Sequence, residues 1–307
     1  MFTYAIFAHE QPGEVLRLAR AVLAEAADAR VVIHYSASSG AFPSVGDRRI
    51  ACVEGPAAVR YATYSMTDMM LRALRQIRRD QTPGEWIILL SAQCYPARPL
   101  SELHEKLAGS AADALFWHRR VGPSDHELHD RYAFRYRIVR RRGLPFPLSV
   151  RQIRGLINRT QPLLRVKSMP RASLLGTRAA RSIFDFVPHV YFGTQWAALS
   201  ATAVDRLLET LAQRSEWEAL FAKSLFSEES LIPTLLLNTP GLRITNGDLH
   251  YTDWTRSKSS SPKSLTIRDL PQIERSGKWF ARKIDPQHDD GLRDALDELR
   301  ARGRTFA

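Results

Sequence analysis

Cysteine and long apolar runs are scarce in this sequence. Its 307 residues include two cysteines, Cys52 and Cys94, too few for a disulfide framework or a zinc site, which indicates a reducing compartment. The apolar runs are strand-sized, far below the ~20 residues that a membrane-spanning helix needs. The first run ends at Ala8 and has no basic residue before it. We therefore expect a buried strand there and not a signal peptide.

Several common motifs are also missing. The sequence has no Walker A pattern, no Gly-x-Gly-x-x-Gly, no Gly-x-Ser-x-Gly and no His-Glu-x-x-His, so those four types of site are not predicted. Asp-x-Asp is missing too. The nearest carboxylate pair with that spacing, Asp125 and Glu127, does not follow an apolar strand. The sequence therefore predicts neither a dedicated divalent-metal site nor a metal cofactor.

Positive charge is in excess. The chain has 44 Lys and Arg against 32 Asp and Glu, a net charge of +12, which favours an anionic partner. Nucleic acid, an acidic membrane surface and phosphorylated small molecules all qualify. The excess is concentrated in residues 131–167. Charge alone does not choose among these partners.

Apolar runs alternate with helical patterns in the first half of the chain. FTYAIFA, RVVIHYS, EWIILLS and ADALFWH are typical of strands, and helical patterns begin at Pro12 and Thr63. This alternation predicts a single compact α/β domain whose sheet is covered by helices on both faces. Ligands of such sheets bind beyond the carboxyl ends of the strands. His9, Ser36 and the turn after Ser91 are therefore expected on the functional rim.

The second half divides less evenly. Residues 119–188 are rich in arginine and proline and predict an inserted segment or extended loops beside the cleft. After them, YFGTQWAALS and LRITNGDLHYTDW are strand-like, and helices are expected from the SEES sequence and over residues 289–302. The sequence therefore divides into residues 1–118, the arginine-rich segment 119–188 and residues 189–307.

Three groups of residues could carry chemistry. Ser227 is a candidate helix cap and places Glu228 and Glu229 in a first turn, where the helix dipole favours negative charge. Taken as a pattern alone, an ordinary helix start is favoured over a catalytic base. Arg282 and Lys283 could bind a diphosphate, although a solvated surface pair is the commoner fate of such residues. Residues 252–263 contain Trp254, which could stack on a sugar, and Arg256; a mobile basic loop is the alternative.

The motifs together resemble the core-2/I-branching N-acetylglucosaminyltransferases and peptide O-xylosyltransferases. The segments that carry the resemblance occur in the family's order: YAIFAHEQP, VVIHYS, WIILLSAQCYPARPLSEL, YFGTQWAALSATAV, SLFSEESLIPTLLLNTP, LRITNGDLHYTDWT, SPKSLTIRDL and SGKWFARKID. The resemblance covers most of the chain. It implies a nucleotide-sugar half (1–118), an acceptor-side segment (119–188) and a catalytic half (189–307). It implies a GT-A-like, Rossmann-like α/β fold with a mixed sheet, and an inverting glycosyltransferase that uses a UDP-sugar donor and no metal.

The resemblance also assigns roles. The family's catalytic base corresponds to Glu229, because Ser230, Thr234 and Asn238 match the residues that follow it, and Glu228 is then left with a helix-start role. The family's diphosphate-binding Arg-Lys pair corresponds to Arg282 and Lys283. The use of Arg and Lys in place of a metal ion is physically sensible, since fixed cations can stabilise a leaving diphosphate.

Other site residues are expected on the donor and acceptor sides. The donor side takes His9, Ser36, Gln195 and Trp196. Ser36 and Cys94 stand where the family has Asp, and Gln195 stands where xylosyltransferases have Asp, which favours UDP-GlcNAc over UDP-xylose. On the acceptor side we expect Glu127, Arg131, Trp254 and Arg256. The expected acceptor is a glycan or a lipid-linked saccharide in surface-polysaccharide assembly.

Two rivals remain at this point. One is the same fold with UDP-xylose or another nucleotide sugar. The other is a non-catalytic module that binds nucleic acid or membrane through residues 131–167, where Tyr132, Phe134 and Tyr136 alternate with arginines. A half-exposed strand has the same pattern and is favoured, so no nucleic-acid partner is expected. We expect instead a cytoplasmic protein whose basic segment makes peripheral contact with the anionic inner face of the cell membrane.

Overall fold

The structure, a computed structural model, describes residues 1–26, 28–80, 85–122, 124–141, 148–169, 172–255, 261–289 and 291–303. The strands in these ranges are β1 (Phe2–Ala8), β2 (Arg30–Tyr35), β3 (Ile50–Cys52), β4 (Trp86–Ser91), β5 (Tyr95–Pro96), β6 (Ala114–Phe116), β7 (His118–Arg120), β8 (Phe134–Arg141), β9 (Leu164–Met169), β10 (Ala172–Arg178), β11 (Tyr191–Gly193), β12 (Ala198–Ser200), β13 (Ile244–Asn246), β14 (His250–Tyr251) and β15 (Phe280–Ala281). The helices are α1 (Pro12–Leu23), α2 (Ser65–Ile77), α3 (Leu100–Ala108), α4 (His126–Ala133), α5 (Leu148–Thr160), α6 (Ala201–Gln213), α7 (Ser215–Phe221), α8 (Leu231–Leu237), α9 (Leu270–Ser276) and α10 (Gly291–Gly303).

A seven-stranded sheet forms the centre, in the order β3-β2-β1-β4-β12-β6-β13. Strand β12 runs antiparallel to both of its neighbours, whereas the other pairings are parallel. Every residue of β1 and β4 is buried, as continuous apolar runs predict for strands covered on both faces. The prediction of an α/β fold with a mixed sheet is confirmed.

Side-chain alternation divides the core into two layers. Tyr4 and Ile6 of β1 point into the layer that α1, α3 and α10 cover. Ala5 and Phe7 point into the layer formed with α2, α6 and α8. The period of two along the strand therefore anchors helices on opposite faces of the same sheet.

Residues 119–188 contain regular structure, so of the two alternatives, an inserted segment or extended loops, the extended loops are wrong for the described part. Strands β8, β10 and β9 form an antiparallel sheet in that order. Phe134 is buried while Arg135 and Arg137 are exposed, which confirms the half-exposed strand. Tyr132 and Phe134 are both buried and cannot stack on bases. Tyr132 and Phe134 therefore give no support to nucleic-acid binding.

Two strand-like stretches in the second half are interrupted. YFGTQWAALS forms β11, which pairs with β7, and then β12, which joins the central sheet. LRITNGDLHYTDW forms β13 at the edge of the central sheet and β14 in a separate three-stranded sheet, β14-β15-β5. These breaks carry residues 194–197 and 247–249 towards the rim. Among the described residues, no helix is both long and apolar enough to cross a membrane.

Candidate functional site

The predicted rim is one edge of the central sheet. The parallel strands β1, β2 and β4 end there, next to His9, Ser36 and the turn after Ser91. Strand β12 is antiparallel to β4, so its beginning lies at the same edge. Gln195 and Trp196 immediately precede it. The topology therefore brings three strand ends and the loop before β12 to one side of the molecule.

Arg282 lies beside this rim because β15 pairs with β5, just after the turn that follows β4. The backbone N–H of Ile284 donates to Gln93 at 2.9 Å and ties the segment down. The Arg282 guanidinium is 5.1 Å from the centre of a Trp196 ring, within cation–π range. Its Nε donates a long hydrogen bond of 3.4 Å to Ser91 Oγ.

The charge of Arg282 has no close counter-charge. Burial lowers its pKa, while Cys94 and Asp248 act in the opposite direction. No carboxylate of the described residues lies within ion-pair distance of it; the same holds for the half-buried Lys283 next to it. Arg282 is half-buried, and taking a guanidinium partly out of water without a counter-ion is unfavourable. An anion at this point would offset that cost. Arg and Lys here could therefore hold a phosphate group.

Polar atoms without partners occur next to Trp196: Gln195 precedes it in the sequence, and the His250 ring centre lies 6.4 Å from that of Trp196. The Oε1 atom of Gln195 is buried and, within the described ranges, has no hydrogen-bond partner. Neither ring nitrogen of the buried His250 has one either. Burial and then Arg282 lower the pKa of His250 to about 3, so its ring is neutral at neutral pH. The sequence did not point to His250, whose only signal is a histidine within a short apolar strand.

The two other donor-side residues are placed differently. Ser36 is fully buried, and its Oγ accepts the backbone N–H of Val59 at 3.0 Å and pairs with Ser38 Oγ at 2.8 Å. Its hydroxyl therefore links the loop that follows β2 to the segment that follows β3. His9 is exposed and lies 3.8 Å from a Glu10 carboxylate oxygen. Both residues are on the rim, but no described contact joins either of them to Arg282.

Glu229 ends a 3-10 turn, Ser227–Glu229, that precedes the helix α8. The prediction that Ser227 caps a helix carrying both glutamates in its first turn was wrong. Ser227 Oγ instead pairs with Thr67 Oγ1 of α2 at 2.7 Å. Phe226, before the turn, has a left-handed backbone with φ of 53°. The chain therefore bends immediately before the turn that carries the two glutamates.

Three of the predicted site residues meet around one guanidinium. Arg131 Nη1 donates to Glu229 Oε2 at 2.9 Å, and Arg131 Nη2 donates to Glu127 Oε1 at 2.9 Å. The Arg131 guanidinium also lies 4.8 Å from the Phe226 ring centre. Burial raises the pKa of Glu229, and the charge of Arg131 and its hydrogen bond act against that rise. The Glu229 side chain remains 30% exposed, so an acceptor hydroxyl could reach it.

Glu228 does not have the helix-start role expected of it. It is 2% exposed, and among described atoms its Oε2 has no hydrogen-bond partner. Burial, followed by the charge of Glu229, raises the pKa of Glu228 to about 8. It is therefore mostly protonated at neutral pH. The pKa values of both adjacent glutamates are raised by burial, and carboxylates with perturbed pKa values cluster at functional sites.

The polar residues after Glu229 attach α8 to β11. Ser230, Thr234 and Asn238 recur every four residues, so they share one face of the helix. Ser230 Oγ donates to the Tyr191 carbonyl at 2.8 Å, and the Tyr191 N–H donates to Thr234 Oγ1 at 3.0 Å. Asn238 Nδ2 donates to the His189 carbonyl at 2.7 Å. These bonds fix the position of Glu229 relative to β11.

Strand β11 also connects the two clusters. Tyr191 and Trp196 are five positions apart in the sequence, so their Cα atoms are at most about 18 Å apart. Gly193 between them has no room for a side chain, because a Cβ would lie 2.7 Å from the Trp117 carbonyl oxygen. The carboxylate cluster and the Arg282 cluster are therefore linked by one short, tightly packed segment.

The remaining candidates are less constrained. Trp254 is 55% exposed, after β14, and Arg256 lies outside the described residues. A surface cavity of about 550 Å³ next to Asp248 and Lys278 does not include Glu229 or Arg282 in its lining. Within the described ranges, no group of three His, Cys, Asp or Glu side chains is arranged to hold a metal ion.

Comparison with known proteins identifies the family of the chain. The family model described as "Core-2/I-Branching enzyme" matches residues 29–149 and 167–274, which include Glu228, Glu229 and the β11–β12 segment. The beta-glucuronosyltransferase GlcAT14A of Arabidopsis thaliana is 31% identical over 124 residues, 37% of this chain and 26% of that protein. The similarity thus spans about a quarter of the relative's length. Because the family model covers well over half of the sequence and the resemblance in the motifs leads to the same family, the chain belongs to the core-2/I-branching enzyme family of glycosyltransferases.

Proposed function

We propose that this protein transfers a sugar from a UDP-sugar to a hydroxyl group of a glycan or glycolipid acceptor, with inversion and without a metal. Family membership supports a nucleotide-sugar donor and a glycan acceptor. GlcNAc is the proposed sugar, because the amide of Gln195 suits an N-acetylhexosamine at least as well as a pentose. Assembly of a surface polysaccharide is the proposed setting.

Glu229 is the proposed general base. As the acceptor oxygen attacks the anomeric carbon, its proton passes to the Glu229 carboxylate. The bond between that carbon and the UDP oxygen breaks on the opposite face, and UDP leaves with the electron pair. A single displacement of this kind inverts the anomeric centre. Positioning and proton removal together supply the rate enhancement.

Arg282 and Lys283 are proposed to stabilise the departing diphosphate. The observation that supports this most is the half-buried Arg282 guanidinium, which lies over Trp196 and has no carboxylate counter-ion among the described residues. Its position is fixed before the reaction, so little reorganisation is needed as charge develops on the leaving group. Lys283 adds a second point charge.

The acceptor is proposed to bind between the Arg131 cluster and Trp254. Glu127 and Arg131 could accept and donate hydrogen bonds to sugar hydroxyls, and both lie next to Glu229. The exposed ring of Trp254 could stack on a sugar face. Replacement of Trp254 by alanine should then raise KM for the acceptor with little effect on KM for the donor.

A donor screen tests the proposal. Purified protein is incubated with UDP-GlcNAc, UDP-xylose, UDP-glucose and UDP-glucuronate, and UDP release and thermal stabilisation are measured with and without a chelator. We expect UDP-GlcNAc to give the largest response and EDTA to have no effect. Loss of activity with EDTA, restored by a divalent cation, would contradict the metal-free proposal.

UDP-glucuronate is the second candidate donor. The name of the Arabidopsis relative, a beta-glucuronosyltransferase, favours it. The basic rim would also tolerate the extra carboxylate of glucuronate. If UDP-glucuronate gives the faster release of UDP in the same screen, the sugar assignment changes while Glu229 and Arg282 keep their proposed roles.

A further inference from the structure

The outer surface of the three-stranded sheet β8-β10-β9 differs from its inner surface. Residues 131–167, which include β8, α5 and most of β9, contain eleven Lys and Arg and no Asp or Glu. In the inner layer, Arg165 pairs with Asp130 at 2.7 Å and lies 4.7 Å from the Phe134 ring centre. Lys167 Nζ donates to the Glu127 carbonyl oxygen at 3.4 Å. The inner cations therefore hold the sheet against α4.

The outer cations have no such partners. Arg135 and Arg137 alternate with the inward Phe134 and Tyr136, and both are exposed. Arg159 is exposed near the end of α5. None of these three arginines forms an ion pair with a residue that the structure describes. Their charges are available to an external anion.

Exposed leucines lie beside these cations. Leu156 is 62% exposed and Leu163 63% exposed, and Leu164 is exposed as well. Leu156 and Arg159 are three residues apart on α5 and so are neighbours on its surface. Arg135 and Leu164 both pair with Thr177 of β10, which puts them on one face, two strand spacings or about 10 Å apart. Helix α5 lies beside β9, because Asn158 exchanges two hydrogen bonds with the backbone of Val166. The exposed Leu156 and Arg159 of α5 are therefore carried at the β9 edge of the sheet, where Leu164 is exposed, and we treat these side chains as one amphipathic surface.

We infer that this surface docks on an anionic lipid bilayer. It consists of the outward residues just described, which we call the basic leucine patch: Arg135, Arg137, Leu156, Arg159, Leu163 and Leu164. Cations that meet anionic headgroups while apolar side chains enter the acyl boundary are the features of peripheral membrane binding. Nucleic acid would use the charge but not the leucines, and the aromatic rings that could stack on bases, Tyr132 and Phe134, are buried.

The patch is close to the candidate site without being part of it. The inner face of the same sheet contacts α4, which carries Glu127 and Arg131. A bilayer on the outer face would therefore lie one sheet and one helix away from Glu229. Docking needs no catalysis, so this inference does not depend on the proposed reaction.

Vesicle flotation tests the inference. Full-length protein is mixed with vesicles of phosphatidylcholine alone or with 30% phosphatidylglycerol, in low salt. We expect binding to the anionic vesicles only, and weaker binding as the salt concentration rises. Equal binding to neutral vesicles, or no binding to either, would overturn the inference.

Two double variants separate charge from apolar contact. R135Q/R137Q should weaken partitioning about 30-fold, on the basis of about five- to sixfold for each cation at an anionic surface. L156S/L163S should weaken it by at least tenfold with net charge unchanged. The matched control is R79Q/R206Q, which removes two exposed arginines that are both engaged in ion pairs elsewhere; it should bind like the wild type.

Competition with random oligonucleotides covers the other anionic partner. If L156S/L163S binds vesicles as well as the wild type does, while oligonucleotides displace the protein from them, the patch is a nucleic-acid surface and the lipid inference fails. Thermal unfolding of each variant checks that the fold is kept. Equal loss of vesicle binding in R79Q/R206Q would show a non-specific charge effect and would likewise overturn the role of the patch.

Discussion

Arg131 and Glu229 are 98 residues apart in the sequence and form a hydrogen-bonded ion pair of 2.9 Å. The pair joins the α4 helix to the turn before α8, at the point where the carboxylate is only partly exposed. Burial favours the protonated form of Glu229 and Arg131 favours the ionised form. The ion pair therefore sets how much of the proposed base is available at a given pH.

Replacement of Arg131 by methionine should move the acid limb of the pH–rate profile. Without the guanidinium, the pKa of Glu229 rises further, so kcat/KM should begin to fall at a higher pH than in the wild type. The measurement is kcat/KM for the donor between pH 5 and 9. Glu127→Gln removes a neighbouring negative charge that raises the same pKa, and should not shift the limb upward. An unchanged limb in R131M would separate Arg131 from the titration of the base.

Glu228 should make stability depend on pH. Its pKa is about 8 in the folded protein, against a reference value of 4.5, so the folded state binds more protons than the unfolded state between these values. Stability contributed at this position therefore falls as pH rises from about 4.5 to about 8. The measurement is the free energy of unfolding in urea of Glu228→Gln and of the wild type. The difference between them should shift in favour of the variant from pH 5 to pH 9. The exposed Glu216→Gln is the control; the same gain there would argue against a buried origin.

Arg282→Met should separate binding from stability. It removes the cation proposed to hold the diphosphate, so UDP affinity should fall by roughly 30- to 1000-fold, typical of losing a charge-assisted hydrogen bond or two. The free enzyme should be as stable as the wild type or more stable, since a half-buried charge without a carboxylate partner among the described residues is gone. Calorimetric titration with UDP and thermal unfolding give the two values. A large loss of stability with unchanged UDP affinity would assign Arg282 a structural role.

Thr234→Val should loosen the link between α8 and β11. The two side chains have nearly the same shape, but valine leaves the Tyr191 N–H without its acceptor. An unsatisfied buried amide costs about 1–3 kcal/mol, and turnover should fall because Glu229 is less well positioned. Thr202→Val, at an exposed position of α6, controls for the substitution itself. If T234V and T202V are equally stable and active, the polar face of α8 does not position Glu229.

The main strands could be predicted because their burial is visible in their own residues. β1 and β4 are covered on both faces, so each is a continuous apolar run. Strand β8 was predicted only as a half-exposed strand, and β9 and β10 were missed, because one face of this sheet is exposed and carries arginines. Strand β8 pairs with β10 across the intervening α5 and β9, and a basic composition alone does not distinguish such strands from loops.

The candidate site shows the same division. The order of motifs pointed to Glu229 and Arg282, and the structure puts each beside another predicted residue, Arg131 and Trp196. The burial of Glu228 and His250 could not be predicted, because it depends on α2, β15 and the loop before β12 closing over them. The helix expected at Ser227 failed for a similar reason: its hydroxyl is used by Thr67, a residue 160 positions away.

Glu229→Gln tests the central claim most directly, because it keeps the shape of the side chain and removes its ability to accept a proton. With the best donor from the screen, the rate of sugar transfer should fall about 10²- to 10⁴-fold, while UDP affinity stays at the wild-type value and Glu216→Gln remains fully active. Wild-type turnover in Glu229→Gln would contradict the assignment of Glu229 as the base.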